Sequence, residues 1–241
     1  MIHPSAQVAQ GAKIANDAQI GPFCKIANGV TLASGVILEP HVTLEAGVHL
    51  GQHTHLYPFA HLGNGHNHIM IHEGCTIREF TKIGTHVEDH DPIIIHPHCY
   101  IMAYATIRSG VQIQEHCTIT NNVHLSRHCI CQSRVIVAAK VSIAEHCTIG
   151  TGSMIGGVST VTHNIPPYCL VEGSPHAMIR GLNLVGMRRY CKDRHSINQV
   201  KKAFMRLKRV DFSRSEARKM LSTAEDTHAR QLIAFVATHQ L

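Results

Sequence analysis

An aliphatic residue returns every six positions from Ile2 to Leu62, through Val8, Ile14, Ile20, Ile26, Leu32, Leu38, Leu44, Leu50 and Leu56. Four residues after each of the first ten stands a second small or β-branched side chain: Ala6, Ala12, Ala18, Cys24, Val30, Val36, Val42, Val48, Thr54 and Ala60. An amphipathic helix needs a period of about 3.6 and a half-buried strand a period of about 2, and this pattern follows neither. If each six-residue unit gives one short strand and one corner, three units close a triangular coil. Residues three units apart then stack, and successive coils pair as parallel sheets. Gly21, Asn28-Gly29, Ser34-Gly35, Gly47 and Gly51 fall at the corners, where tight bends favour residues that tolerate positive φ.

The pattern breaks over residues 63–70, resumes at Ile71, Ile77 and Ile83, and breaks again over residues 84–92. From Ile95 to Val161 it runs without a slip. Loops leaving a rigid solenoid are free to touch ligands or partners. The first carries His66, Asn67 and His68; the second carries His86, Glu88, Asp89, His90 and Asp91. Of the nine cysteines, Cys24, Cys75, Cys99, Cys117, Cys129, Cys131 and Cys147 fall on inward positions. There they act as small buried hydrophobes. No CxxC pair points to a zinc ribbon or redox site, and a reducing, cytoplasmic compartment is expected.

Periodicity ends at Ile165-Pro166-Pro167, followed by an extended segment around residues 168–171. Helix is expected from about His195, where Val200, Ala203, Phe204 and Leu207 form an apolar stripe. Ser213 and Glu216 make a capping box for a second helix, and residues 225–237 read as a third. The division is therefore residues 1–182 as the repeat domain and residues 183–241 as a small helical domain. The net charge of +6 is concentrated between Arg180 and Lys219, in a run that includes Arg188, Arg189, Lys192, Arg194, Lys201, Lys202, Arg206, Lys208 and Arg209. That charge fits a solvated face, an acidic protein or a phosphate-bearing ligand. No helix-turn-helix, zinc finger or aromatic-interleaved surface accompanies it, so nucleic acid is not expected. The N-terminal segment lacks the basic-then-apolar order of a secretory leader, and no apolar run is long enough for a transmembrane helix.

Several stretches carry a family likeness: Ile165-Pro166-Pro167-Tyr168, Gly173, Gly181-Leu182-Asn183 and Gly186-Met187-Arg188-Arg189. Tyr57-Pro58-Phe59-Ala60, Ile77-Arg78-Glu79 and Asn121-Asn122 followed by His128 add to them. Over nearly its whole length the chain resembles the bacterial acyl-carrier-protein-dependent UDP-N-acetylglucosamine O-acyltransferases, which start lipid A biosynthesis. The resemblance implies an all-β, left-handed parallel β-helix with a small C-terminal α-helical domain, a homotrimer and active sites in the clefts between subunits. It implies acyl-loaded acyl carrier protein as donor and a UDP-amino sugar as acceptor; no cofactor is expected.

The transfer of site residues is incomplete. The family's base histidine lies in a His-Ile-Ala-His-Asp segment, which the repeat register aligns with Thr106-Ile107-Arg108-Ser109-Gly110. Ser109 stands where the base should be and Gly110 where its acidic neighbour should be. His128 matches a later family histidine near the base, and Asn183, Arg188 and Arg189 match the segment facing the nucleotide or carrier. Removing a proton from a sugar hydroxyl needs a base, which serine is not near neutral pH.

Three readings follow. One is an acyltransferase in which His128 is the nearest family-matched base. The second is a non-catalytic trimeric homologue that binds a nucleotide sugar or carrier protein. The third is a histidine-metal enzyme of the hexapeptide-repeat class, since His98 pairs with His116, and His128 with His146, at the stacking interval. A catalytic zinc needs about three protein ligands, each pair gives two, and no metal ligand is assigned.

Overall fold

The computed structural model describes residues 1–88, 90–191 and 193–241. Asp89 of the second loop and Lys192 of the basic stretch lie outside the described residues.

Each six-residue unit forms a two-residue strand followed by a turn. In Thr31–Leu32, Thr43–Leu44 and Thr76–Ile77 the second residue is buried and the first is half-buried. Among the described residues the strands make three sheets of nine, eight and ten strands, wound as a left-handed parallel β-helix. Sheet I runs from Gln7–Val8 to Thr160–Val161 and sheet II from Lys13–Ile14 to Thr148–Ile149. Sheet III runs from Gln19–Ile20 to Met154–Ile155, then adds Cys169–Glu172 and the antiparallel Met178–Leu182.

Both interruptions of the repeat are absorbed without breaking the ladder. The pairing step of 18 residues between Thr43 and His61 becomes 21 between Val48 and Ile69, and 24 between Ile69 and Ile93. The first break is shorter than the period indicates. Ile69–Ile71 is a three-residue strand with Ile69 and Ile71 both buried, so the chain re-enters the wall at Ile69.

The interior is a column of aliphatic side chains and thiols, with all nine cysteines buried and unpaired. Burial pushes the Cys129 thiol up to about 12, which keeps it in the unreactive protonated form.

Four helices close the chain: α1 (Leu184–Tyr190), α2 (Arg194–Arg209), α3 (Arg214–Leu221) and α4 (Thr227–Thr238). The repeat logic gave no sign of α1, whose single two-turn length carries too little apolar periodicity to be seen. α2 buries Ile197, Val200, Ala203, Phe204 and Leu207 and turns its cations outward. Asp193 caps it, accepting from the backbone N–H of His195 and Ser196; these bonds hold its carboxyl below the usual carboxylate range. The expected capping box at Ser213 does not form. Ser213 precedes α3, but its hydroxyl meets Ser215 at 3.0 Å, and Glu216 is drawn to Lys219 at 2.7 Å. Tyr168, fully buried at the end of the solenoid, ties it to α4 through His228 at 3.0 Å and through Gln231.

Candidate active site

The prism has three corners, and the turns stack along each. Both loops leave at the corner between sheets I and II, and they are pinned to each other. Asn64 Nδ2 donates to the His86 carbonyl at 2.6 Å, and the buried Asn67 donates to the Gly84 carbonyl at 2.9 Å. Gly84 has φ +59°, and a Cβ there would lie 2.2 Å from Asn67 Nδ2, so this bridge requires glycine.

Further along the same corner stand the turns Ser109-Gly110, Arg127-His128 and Glu145-His146. The His128 backbone N–H donates to the Ser109 carbonyl at 3.0 Å, so the substituted position and the matched histidine occupy successive coils. The Ser109 side chain is 1% exposed and its hydroxyl has no partner among the described residues. The His128 ring stacks on His146 with centroids 4.8 Å apart. Beside them Arg127 pairs with Glu145 at 3.0 Å, a bond that holds the glutamate below its usual range. Asp91, from the second loop, brings Oδ2 to 3.5 Å from His128 Nε2. The sequence placed Asp91 on a loop and His128 on a turn; only the fold shows that they meet. On the adjoining face of sheet I, burial holds His124 below its usual range, aided by Arg108 and His86.

Asn183, Arg188 and Arg189 are elsewhere. Asn183 is buried and caps α1: its Oδ1 accepts from the Gly186 N–H at 3.0 Å, and its Nδ2 donates to the Gly152 carbonyl at 2.9 Å. Asn183 and Arg189, with Tyr190, His116, Arg134, Thr118 and Ile136, line a cavity of about 170 Å³ where sheet III meets the corner between sheets II and III. Arg134 lies over the Tyr190 ring at 5.7 Å, and burial pushes the Tyr190 hydroxyl up. Arg188 borders a different cleft, of about 410 Å³, with Arg194, Lys201 and Asn198. A larger cleft of about 490 Å³ lies among α2, α3 and α4, away from the corner of His128.

The histidine pairs separate in the same way. His98 and His116 stack at 5.2 Å on the corner between sheets II and III, apart from His128 and His146. Among the described residues no three His, Cys, Asp or Glu side chains converge as a metal site.

The third corner, between sheets III and I, carries a feature that sequence reasoning missed. Phe23, His41, Phe59, Phe80 and Tyr104 stack ring on ring at 4.8–5.0 Å. The four hydrophobic rungs are 40–58% exposed. The signal was present in the sequence, since all five share one position of the repeat.

A family description reading UDP-N-acetylglucosamine O-acyltransferase, domain 2, matches residues 164–240. One for bacterial transferase hexapeptide repeats matches residues 11–46 and 92–127. The chain is similar to a solved UDP-N-acetylglucosamine acyltransferase at 30% identity, covering 100% of this chain and 96% of the other, with a TM-score of 0.90. It is also similar to the UDP-N-acetylglucosamine O-acyltransferase of Moraxella catarrhalis, at 26% identity over 99% and 97% of the two chains, with a TM-score of 0.92. The acyl-[acyl-carrier-protein]–UDP-N-acetylglucosamine O-acyltransferase of Aliarcobacter butzleri is 41% identical over 88 residues, 36% of this chain. That match spans about a third of the curated relative, 34% of its length.

Proposed function

This chain belongs to the UDP-N-acetylglucosamine O-acyltransferase family, and we propose that it moves an acyl group from acyl carrier protein to a UDP-amino sugar such as UDP-N-acetylglucosamine. The reading rests on His128, which stands on the corner where both loops converge, one coil from the substituted Ser109. His128 takes the proton of the acceptor hydroxyl as its oxygen attacks the thioester carbonyl. The C–O bond forms, the C–S bond breaks, and the proton passes to the departing thiolate.

The exposed aromatic ladder supports a homotrimer, because a continuous apolar ridge of this kind calls for a covering copy. Sheets I and III flank that ridge. With three copies packed ridge to ridge about one axis, sheet I of each faces sheet III of the next. The loop corner of one copy then adjoins the corner of its neighbour that bears Arg189. In that arrangement His128 of one copy and the Arg189 cavity of the next share a cleft, which is how residues on two separate corners serve one site. Arg189 is the nucleotide-facing cation of this reading. Arg188 and the outward cations of α2 suit an acidic carrier protein. No helix among the described residues is long and apolar enough to cross a membrane, and a cytoplasmic setting accords with the unpaired thiols.

One observation favours a second reading, a non-catalytic homologue that keeps the cleft: the hydroxyl of Ser109 is buried and is no base. Calorimetry with UDP-N-acetylglucosamine and acyl-transfer assays over a panel of carrier proteins loaded with different acyl chains decide between them. Binding and turnover are expected, with His128→Ala lowering turnover about a hundredfold or more while the protein stays folded. Binding without turnover in the unaltered protein would support the second reading.

A further inference from the structure

We propose that Asp91 is the positioning residue of His128: its carboxylate holds the ring by Nε2 and leaves Nδ1 to take the acceptor's proton. The inference deepens the acyl-transfer reading and rests on it.

The contact is specific. His53 and His98 lie over Gly35 and Gly74 just as His128 lies over Gly110, with Nδ1 at 2.3, 2.5 and 2.2 Å from where a Cβ would stand. A histidine laid over a glycine is thus a habit of this fold and carries no function by itself. Among the described residues, His128 alone of the turn histidines has a carboxylate within ion-pair distance. Its partner comes from an insertion that departs from the repeat, on a loop held by the Asn64–His86 and Asn67–Gly84 hydrogen bonds. The 3.5 Å separation is long for a hydrogen bond, as catalytic contacts often are before substrate closes the site.

The charges around the ring explain why a carboxylate is needed. Arg127 and Arg108 share the corner with the ring, and His146 stacks on it. Glu145 is engaged by Arg127. Asp91 supplies from another element the negative charge that stabilises the imidazolium formed when Nδ1 accepts the proton. It also sets the tautomer, with hydrogen on Nε2 and the in-plane lone pair on Nδ1, in a ring held between Gly110 and His146.

The test compares Asp91→Ala, Asp91→Glu and His128→Ala in the full-length protein, by steady-state kinetics across pH and by NMR titration of the His128 ring. In Asp91→Ala, kcat should fall at least about tenfold with KM little changed, and the acid limb of the pH profile should move to lower pH. The His128 titration should move the same way, and Asp91→Glu should recover part of each effect. Unchanged kinetics and titration in Asp91→Ala, with His128→Ala inactive, would overturn the role of Asp91 and leave His128 as base. Full activity in His128→Ala would remove His128 as base and overturn the inference while leaving acyl transfer standing; no turnover in the unaltered protein would overturn the acyl-transfer reading, and the NMR titration still shows directly whether Asp91 acts on the ring.

Discussion

At the scale of single residues, Gly110 matters as much as the histidine above it. Its φ of +72° disfavours any side chain, and a Cβ would lie 2.2 Å from Nδ1, 2.7 Å from Cε1 and 3.0 Å from Cγ of His128. Gly110→Ala should therefore cost about 1–3 kcal/mol from backbone strain and displace the ring. Thermal denaturation reads the first effect. Loss of turnover beyond what the stability change explains reads the second. Half-buried histidines set a pH dependence. Burial holds His61, His124 and His163 below the usual histidine range. Their charged form is disfavoured in the fold, so the unfolded chain takes up protons first as pH drops through about 6.5. Their contribution to stability is complete above that pH and is lost on acidification. The melting temperature should fall between pH 7 and pH 5, and His124→Gln should flatten the fall.

At the scale of elements, the solenoid and the helices obey different rules. Strands of two residues have no stability alone; each is held by parallel pairing above and below and by its inward aliphatic side chain. The helices depend on caps and on one another. Asp226 accepts from the Ala229 N–H at 2.8 Å and from Ser196 Oγ at 2.6 Å, so one carboxylate both caps α4 and ties it to the first turn of α2. Asp226→Ala should destabilise the protein by about 0.5–2 kcal/mol. Hydrogen exchange should speed up in the first turns of α2 and α4 and leave the strands unaffected. The missed capping box makes the same point from the other side. The spacing of Ser213 and Glu216 is correct, but Ser215 and Lys219 offered nearer partners.

At the scale of the whole molecule, the decisive feature is which corner each group occupies. His128 and the Arg189 cavity lie on different corners, and the aromatic ladder occupies the third. The proposed trimer follows from that division. Phe59→Glu places a charge in the middle of the ladder, between His41 and Phe80. It should convert the trimer to monomer in sedimentation analysis and abolish turnover, while the circular dichroism of the solenoid persists. A monomer from the unaltered protein, or an active monomeric variant, would refute the shared cleft.

The sequence by itself determined the coil, its inward residues, seven of the nine buried thiols and where both loops leave the wall. Each of these follows from a short-range period in which one side chain in six must face the interior. His128 and the substitution at Ser109 came from the resemblance, carried onto this chain by a register that is unbroken between them. Handedness came from resemblance, since a period of six reads alike in either hand. Only the tertiary structure decided that Asp91 meets His128, that Asn183 caps a helix at the edge of the Arg189 cavity, and that five rings form one exposed ridge. Those contacts join residues from different coils and elements, where stacking and loop closure choose the neighbours and local spacing carries no record of the choice.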